Sequence, residues 1–335
     1  MATPKKLDLY IAYFCYGGNG GISTIHPDIM DWLLLQMPAL LGDARVGTVG
    51  MKRFSDTPIT MTRNEAIQRA RKGEVDFCLK SPRPNGSGPY DLILMIDSDM
   101  GPDCELLAGD TTARPFLPTA FNFLYEQHGL RPAGAMIAAP YCGPPPNEIV
   151  YIFLWKNNET QPIEVAHGFG ASYRMFEREE AAERTGIEAV GALPTGLYMA
   201  DMRLYELTDP VDEKDEPHHY YEWRDKYAAE KCSTEDVVVT RDIALACVSK
   251  HGYNPVHVAW DSWAAHWKPK KVRKPQPLKV DHVKTKLQRA VRCGIPSDRR
   301  VLMANFEANS GVSWDNVPSS GPNGEAYQEA TSESR

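Results

Sequence analysis

"LILMIDSDMGPD" (92–103) sets five apolar residues directly against Asp97, Ser98 and Asp99. The run is continuously apolar rather than alternating, as in a strand covered on both faces. In an open α/β sheet, ligands gather beyond the carboxyl ends of the strands. Residues two apart on an extended chain point the same way, so Asp97 and Asp99 are expected to converge there. A hard divalent cation, often completed by substrate phosphates, would relieve their repulsion. The competing reading is an Asp-rich turn that caps its own backbone amides.

Upstream of this stretch, "LDLYIAYF" (7–14) reads as a buried strand ended by a Gly-rich break. "HPDIMDWLLLQMPALLG" reads as a helix with Pro27 at its start. "RVGTVGMKRF" is a second strand, and a helix is expected from about Thr62 to Lys72, closed by Gly73. "DLILMI" then counts as the third strand. Downstream come a helix over 113–129, strands in "AGAMIAAPYCG" and "IVYIFLW", and a Glu/Arg-rich helix at 176–185. A strong helix follows over 233–252, capped by Ser233 or Thr234, with acids in its first turn. A short strand in "NPVHVAWDSWAAHWKP" is the last. Alternation of strands and helices predicts an α/β fold with a largely parallel sheet.

The net charge of −7 conceals an asymmetry. Residues 267–300 carry twelve Lys or Arg against two Asp, which leaves the first 266 residues at −13. "KPKKVRKPQPLKV" reads as a basic, Pro-rich linker. The segment after it places Val280, Val283, Leu287 and Val291 near one helical face, with Lys and Arg on the others. The chain after about Asn305 has the composition of a disordered tail. The expected organisation is a body over 1–268, a basic linker and amphipathic helix over 269–304, and a tail over 305–335. The basic segment suits an anionic partner, either nucleic acid or an anionic membrane face. A solvated helix packed by its Val/Leu stripe is the bland alternative.

No apolar run approaches the length of about 18 residues that a transmembrane helix needs. The N-terminus lacks a signal-peptide pattern. Seven scattered cysteines without a C-x-x-C pair argue against a disulfide framework or a zinc site. A cytoplasmic location is expected.

An EF-hand loop would need Asp or Asn where Gly101 stands, and a haloacid-dehalogenase-type phosphatase would need Thr or Val there. Four landmarks in order instead resemble the GT-A fold of nucleotide-sugar glycosyltransferases. They are "MTRNEAIQRARKGEVDF…YDLILMIDSDMGPD", the Gly-rich "GALPTGLYMADMRLYE", "STEDVVVTRDIALACVSKHGY" and "WAAHWKP". Together they cover roughly residues 7 to 268 and look like a family-2-like enzyme of the soluble bacterial or phage type.

The resemblance implies transfer of a sugar from a UDP- or GDP-linked donor to an acceptor hydroxyl, with Mn²⁺ or Mg²⁺ as cofactor and inversion as the expected outcome. It implies Asp99 and His266 as metal ligands, with Asp97 on the ion or on the donor ribose. His257 and Asp261 compete with His266 for its role. It implies Tyr13 and Tyr16 beside the nucleobase and Arg63 and Asn64 in the donor pocket; Lys268 could pair with a phosphate or equally be solvated. Asp236 would be the base that takes the acceptor proton, with Glu235 as its partner. The ordinary reading of that acidic pair is complementarity to a helix dipole. Gly196 and Trp263 would line the acceptor side, and the acceptor itself could be a hydroxylated base in DNA, held through 268–300. Rival readings are a phosphatase or phosphotransferase with Asp97 as nucleophile, and a non-catalytic nucleotide-binding module.

Overall fold

A computed structural model describes residues 5–15, 25–55, 59–143, 150–155, 173–176, 178–209, 220–221, 235–267 and 271–272. The extension and tail expected beyond 272 lie outside the described residues, as do the caps at 233–234.

Four elements open the fold: β1 (Leu7–Cys15), α1 (Pro27–Gly42), β2 (Val46–Ser55) and α2 (Ile59–Lys72). Pro27 begins α1 as expected, and the His26 ring accepts from the Asp28 amide at 3.2 Å as the N-cap. α2 starts three residues earlier than its sequence suggests and stops at Gly73, whose φ of 71° favours glycine. β3 (Phe77–Lys80) follows, then β4 (Leu92–Ile96), β5 (Met100–Gly101), α3 (Cys104–Leu107), α4 (Phe116–Leu130) and β6 (Met136–Ala138). β7 (Phe153–Trp155) and β8 (Tyr173–Met175) pair with each other outside the main sheet. The remainder is α5 (Arg178–Glu183), β9 (Ile187–Ala189), β10 (Leu197–Asp201), α6 (Arg203–Glu206), α7 (Glu235–His251), β11 (Val256–Ala259), β12 (Ala265–Trp267) and β13 (Lys271–Val272).

The main sheet has eight strands in the order β3-β2-β1-β4-β10-β6-β11-β9. β2, β1, β4, β6 and β11 run one way, and β3, β10 and β9 run the other. The α/β reading therefore holds: the sheet is mixed, with five of its eight strands, β1 and β4 among them, running the same way. "DLILMI" is the fourth strand, not the third. The missed strand, β3, is a short edge whose side chains are exposed or half-exposed, so it lacks the apolar signature of a core strand.

Alternation along the strands builds two cores, one on each face. Leu7, Leu9 and Ile11 of β1, with Leu92, Leu94 and Ile96 of β4, meet Trp32 of α1 and Phe116 and Phe121 of α4. Tyr10, Ala12 and Phe14, with Ile93 and Met95, meet Ala66 and Ile67 of α2 and Val237 and Ile243 of α7. This is a helix–sheet–helix sandwich. It explains why the 92–96 run has no polar member: every one of its residues is buried.

The same topology gathers the polar residues at one edge. β1, β4 and β6 all end there, and the reversed β10 begins there, with Leu197 opposite Ile96. Helices α2 and α7 present their N-terminal turns at that edge, so Arg63, Glu235 and Asp236 meet Asp97.

Candidate active site

Arg63 is the hub of the polar cluster. Its side chain is only 3% exposed. Nη2 donates to Asp97 Oδ2 at 2.6 Å, while Nη1 donates to Asp236 Oδ1 at 2.5 Å and to Glu235 Oε1 at 3.2 Å. A single planar fork therefore joins the end of β4 to the start of α7. Arginine suits this position because its donors are rigid and its charge is permanent. Burial disfavours its charged form, but Asp97 and Asp236 more than offset that and hold its pKa well above the ordinary value.

Among the described residues one cation bonds three carboxylates, and the raised carboxyl pKa values reflect their burial and mutual repulsion. Burial, opposed by Arg63, pushes Asp97 up to about 6. Burial and the neighbouring Asp236 push Glu235 up to about 7. Glu235 thus exchanges its proton near neutrality, a range suited to an acid or base. Asp236 is tied down further: it accepts from the Thr195 hydroxyl and, at 3.3 Å, from the Thr195 amide.

Asp99 lies on the other side of this cluster. His266 Nε2 stands 3.1 Å from Asp99 Oδ2. The Trp267 amide donates to the Asp99 carbonyl at 2.7 Å, and the His26 amide to the Ser98 carbonyl at 3.0 Å. The His26 and Trp267 rings stack 4.1 Å apart. β12 and the start of α1 thus clamp the turn that carries the two aspartates.

The structure brings Asp99 and His266 together as the sequence suggests but turns Asp97 towards Arg63. Among the described residues, no three of His, Cys, Asp or Glu converge as a metal-holding group. The Asp99–His266 separation matches that of adjacent ligands on an octahedral ion at about 2.1 Å, roughly 3.0 Å apart. The pair therefore fits an ion that takes most of its ligands from water and phosphate. The buried Asp97 Oδ1 and His266 Nδ1 lack a hydrogen-bond partner among the described residues, so the cluster retains polar capacity.

Other candidates fall in different places. Tyr13 lies near the end of β1 with its Cα in register with Ile96, next to Asp97, and is half-buried. Asn64 is buried, and its side-chain amide makes two 2.9 Å hydrogen bonds to the Tyr221 backbone, so it secures a loop instead of facing a ligand. Gly196 is also buried. Its carbonyl accepts from the Asp97 amide at 2.8 Å, and an added Cβ would stand 2.9 Å from the Tyr141 hydroxyl. Glycine there permits close packing beneath Asp97. Trp263 is 2% exposed and packs against Trp260 in the core, which leaves no ring face for a sugar. His257 sits beside Phe123, with burial lowering its pKa to about 4, and Asp261 accepts from the Gly186 amide. Tyr16 and Lys268 lie outside the described residues.

Sequence reasoning missed Tyr141, and it placed Thr195 only within an acceptor-side segment, Pro194 to Tyr198, without its bond to Asp236. Tyr141 follows β6 at the active edge, with its ring 5.0 Å from His266. Burial, with Asp236 and Asp97 nearby, raises its hydroxyl pKa. Its position just beyond a strand's carboxyl end was an available signal.

No protein-family model and no curated protein matches the chain. Among solved structures, the crystal structure of A197 from STIV is similar over 82% of this chain and 96% of its own, at 9% identity and a TM-score of 0.37. A likeness that low carries no argument.

Proposed function

We propose that the chain is a GT-A-type glycosyltransferase that moves a sugar from a nucleoside-diphosphate donor to an acceptor hydroxyl. One observation carries the reading. The Asp99–His266 pair and the Glu235–Asp236 pair, drawn from three separate stretches of the sequence, share one sheet edge around Arg63.

In this reading Asp99 and His266 would hold Mn²⁺ or Mg²⁺, which supplies charge stabilisation to a departing diphosphate. Tyr13 offers a ring beside the donor end of β1. Asp236 takes the acceptor proton, and Thr195 and Arg63 fix its carboxylate. The Arg63 bond occupies Asp236 Oδ1, so release of that bond would accompany acceptor entry. Glu235 can then hold or yield a proton near neutral pH.

The Arg63–Asp236 pair also favours a second reading, a non-catalytic nucleotide-binding module, because it ties up one oxygen of the carboxylate that would act as base. Thermal melts and turnover assays with UDP- and GDP-sugars, with and without Mn²⁺, test both. Turnover that is lost in Asp236→Asn supports the transferase. Mn²⁺-dependent stabilisation without turnover supports the binding module. Neither stabilisation nor turnover across the panel overturns both.

A further inference from the structure

The outer face of α1 is apolar and exposed. Leu34 is 70% exposed, Leu35 64% and Met30 43%, and Pro38 and Ala39 extend the strip. These residues fall at i, i+4 and i+8, one above another on a single face. The inner face, with Ile29, Trp32, Leu33 and Met37, is already packed on the sheet. A surface helix normally shows one apolar face and one polar face; the outer face of α1 is apolar apart from one exposed acid, Asp31, which begins the row that Leu35 and Ala39 continue.

The described chain ends beside the start of this helix. β12 pairs with β13, and Trp267 of β12 donates to Asp28 of α1 at 3.1 Å and stacks on His26. Sixty-three residues follow Val272. The first apolar position of the stripe Val280, Val283, Leu287 and Val291 is eight residues on, a reach of about 26 Å when extended. The whole of α1 is about 24 Å long. The tether is therefore long enough to lay 280–291 along α1 and short enough to keep its local concentration high. Charge agrees: residues 267–300 are strongly basic, and the first 266 residues sum to −13.

We infer that the exposed face of α1 is the dock for residues 280–291 of this same chain, an amphipathic helix that sets its Val/Leu stripe on Leu34 and Leu35. Docked there, its Lys and Arg face outward next to the turn that carries Asp99, and its Val/Leu stripe covers the exposed strip of α1.

Hydrogen exchange on the full-length protein tests this. Residues 280–291 are expected to exchange at least tenfold slower than an unstructured peptide, and Leu34→Asp/Leu35→Asp to abolish the slowing. Both leucines are exposed, so that variant keeps its fold, which its melting temperature verifies. Leu287→Asp, on the other partner, should give the same loss. A photo-crosslinker placed at Leu34, in a mixture of isotopically light and heavy protein, should join α1 to 280–291 within one chain. Crosslinks only between light and heavy chains would replace the proposal with a second copy as occupant. Protection that arises only with vesicles of 3:1 phosphatidylcholine and phosphatidylglycerol would replace it with a membrane. Unprotected exchange, or protection indifferent to Leu34 and Leu35, would end it.

Discussion

Replacing Arg63 with Met removes the charge but keeps most of the side-chain volume, so it isolates what the fork does. In the native protein Arg63 is bonded to Asp97, Glu235 and Asp236 with almost no solvent access. Taking away one partner of a buried ion pair typically costs about 3–5 kcal/mol, because the other charge is left unpaired. For a protein of this size that corresponds to a fall in melting temperature of roughly 10 °C. The cost should also depend on pH. The folded pKa of Glu235 is about 7, above its ordinary value of 4.5. The folded state therefore binds the extra proton between those values, and the stability that Glu235 contributes is present below 4.5 and lost as pH rises through 7. Without Arg63 that folded pKa climbs further, so the penalty of Arg63→Met should grow from pH 5 to pH 8. Paired melts of wild type and variant at both pH values measure the difference. A fall in melting temperature equal at the two pH values would mean that the loss is one of packing. A fall below about 2 °C at pH 8 would mean that the fork does not hold the two elements together.

Further outcomes follow from the same geometry. Glu235→Gln should flatten the pH dependence of stability between pH 4.5 and 7 and raise stability at pH 8 by up to about 3 kcal/mol, with little change at pH 4; urea titrations at the two extremes read this. Gly134→Ala should cost about 2–4 kcal/mol, since φ is 72° and the new Cβ would lie 2.1 Å from Asp201 Oδ2. Its control, Gly129→Ala, has open space on an exposed turn of α4 and should be neutral or slightly stabilising in the same titration. Under the proposed function, Asp99→Asn and His266→Ala should each abolish Mn²⁺-dependent thermal stabilisation by UDP or GDP. Asp236→Asn should keep that stabilisation and lose transfer.

What could be read from the chain, and what could not, divides along physical lines. The strand before Asp97 was legible because burial on both faces demands an unbroken apolar run. The start of α7 was legible because acids complement a helix N-terminus. Neither signal says which way a side chain turns. Asp97 and Asp99 sit two apart, and extended geometry would aim both at one ion. The chain instead leaves β4 in a turn after Ile96, so Asp97 reaches back to Arg63 while Asp99 reaches forward to His266. Local sequence is silent on that divergence, because Arg63 is 34 residues from one partner and 173 from another.

The tryptophans give the same lesson in a smaller space. Trp263 and Trp267 flank one short segment and look interchangeable as sugar platforms. Trp263 precedes β12 and turns inward against Trp260. Trp267 ends β12, with β5 on one side and β13 on the other, and stacks on His26 beside the Asp99 turn. If an aromatic ring meets a ligand from this segment, Trp267 is the one placed to do so. Trp267→Ala should therefore weaken nucleotide or acceptor binding with little loss of stability, whereas Trp263→Ala should cost about 3–5 kcal/mol of stability. Equal effects of the two substitutions on binding, at matched stability, would place the ligand elsewhere.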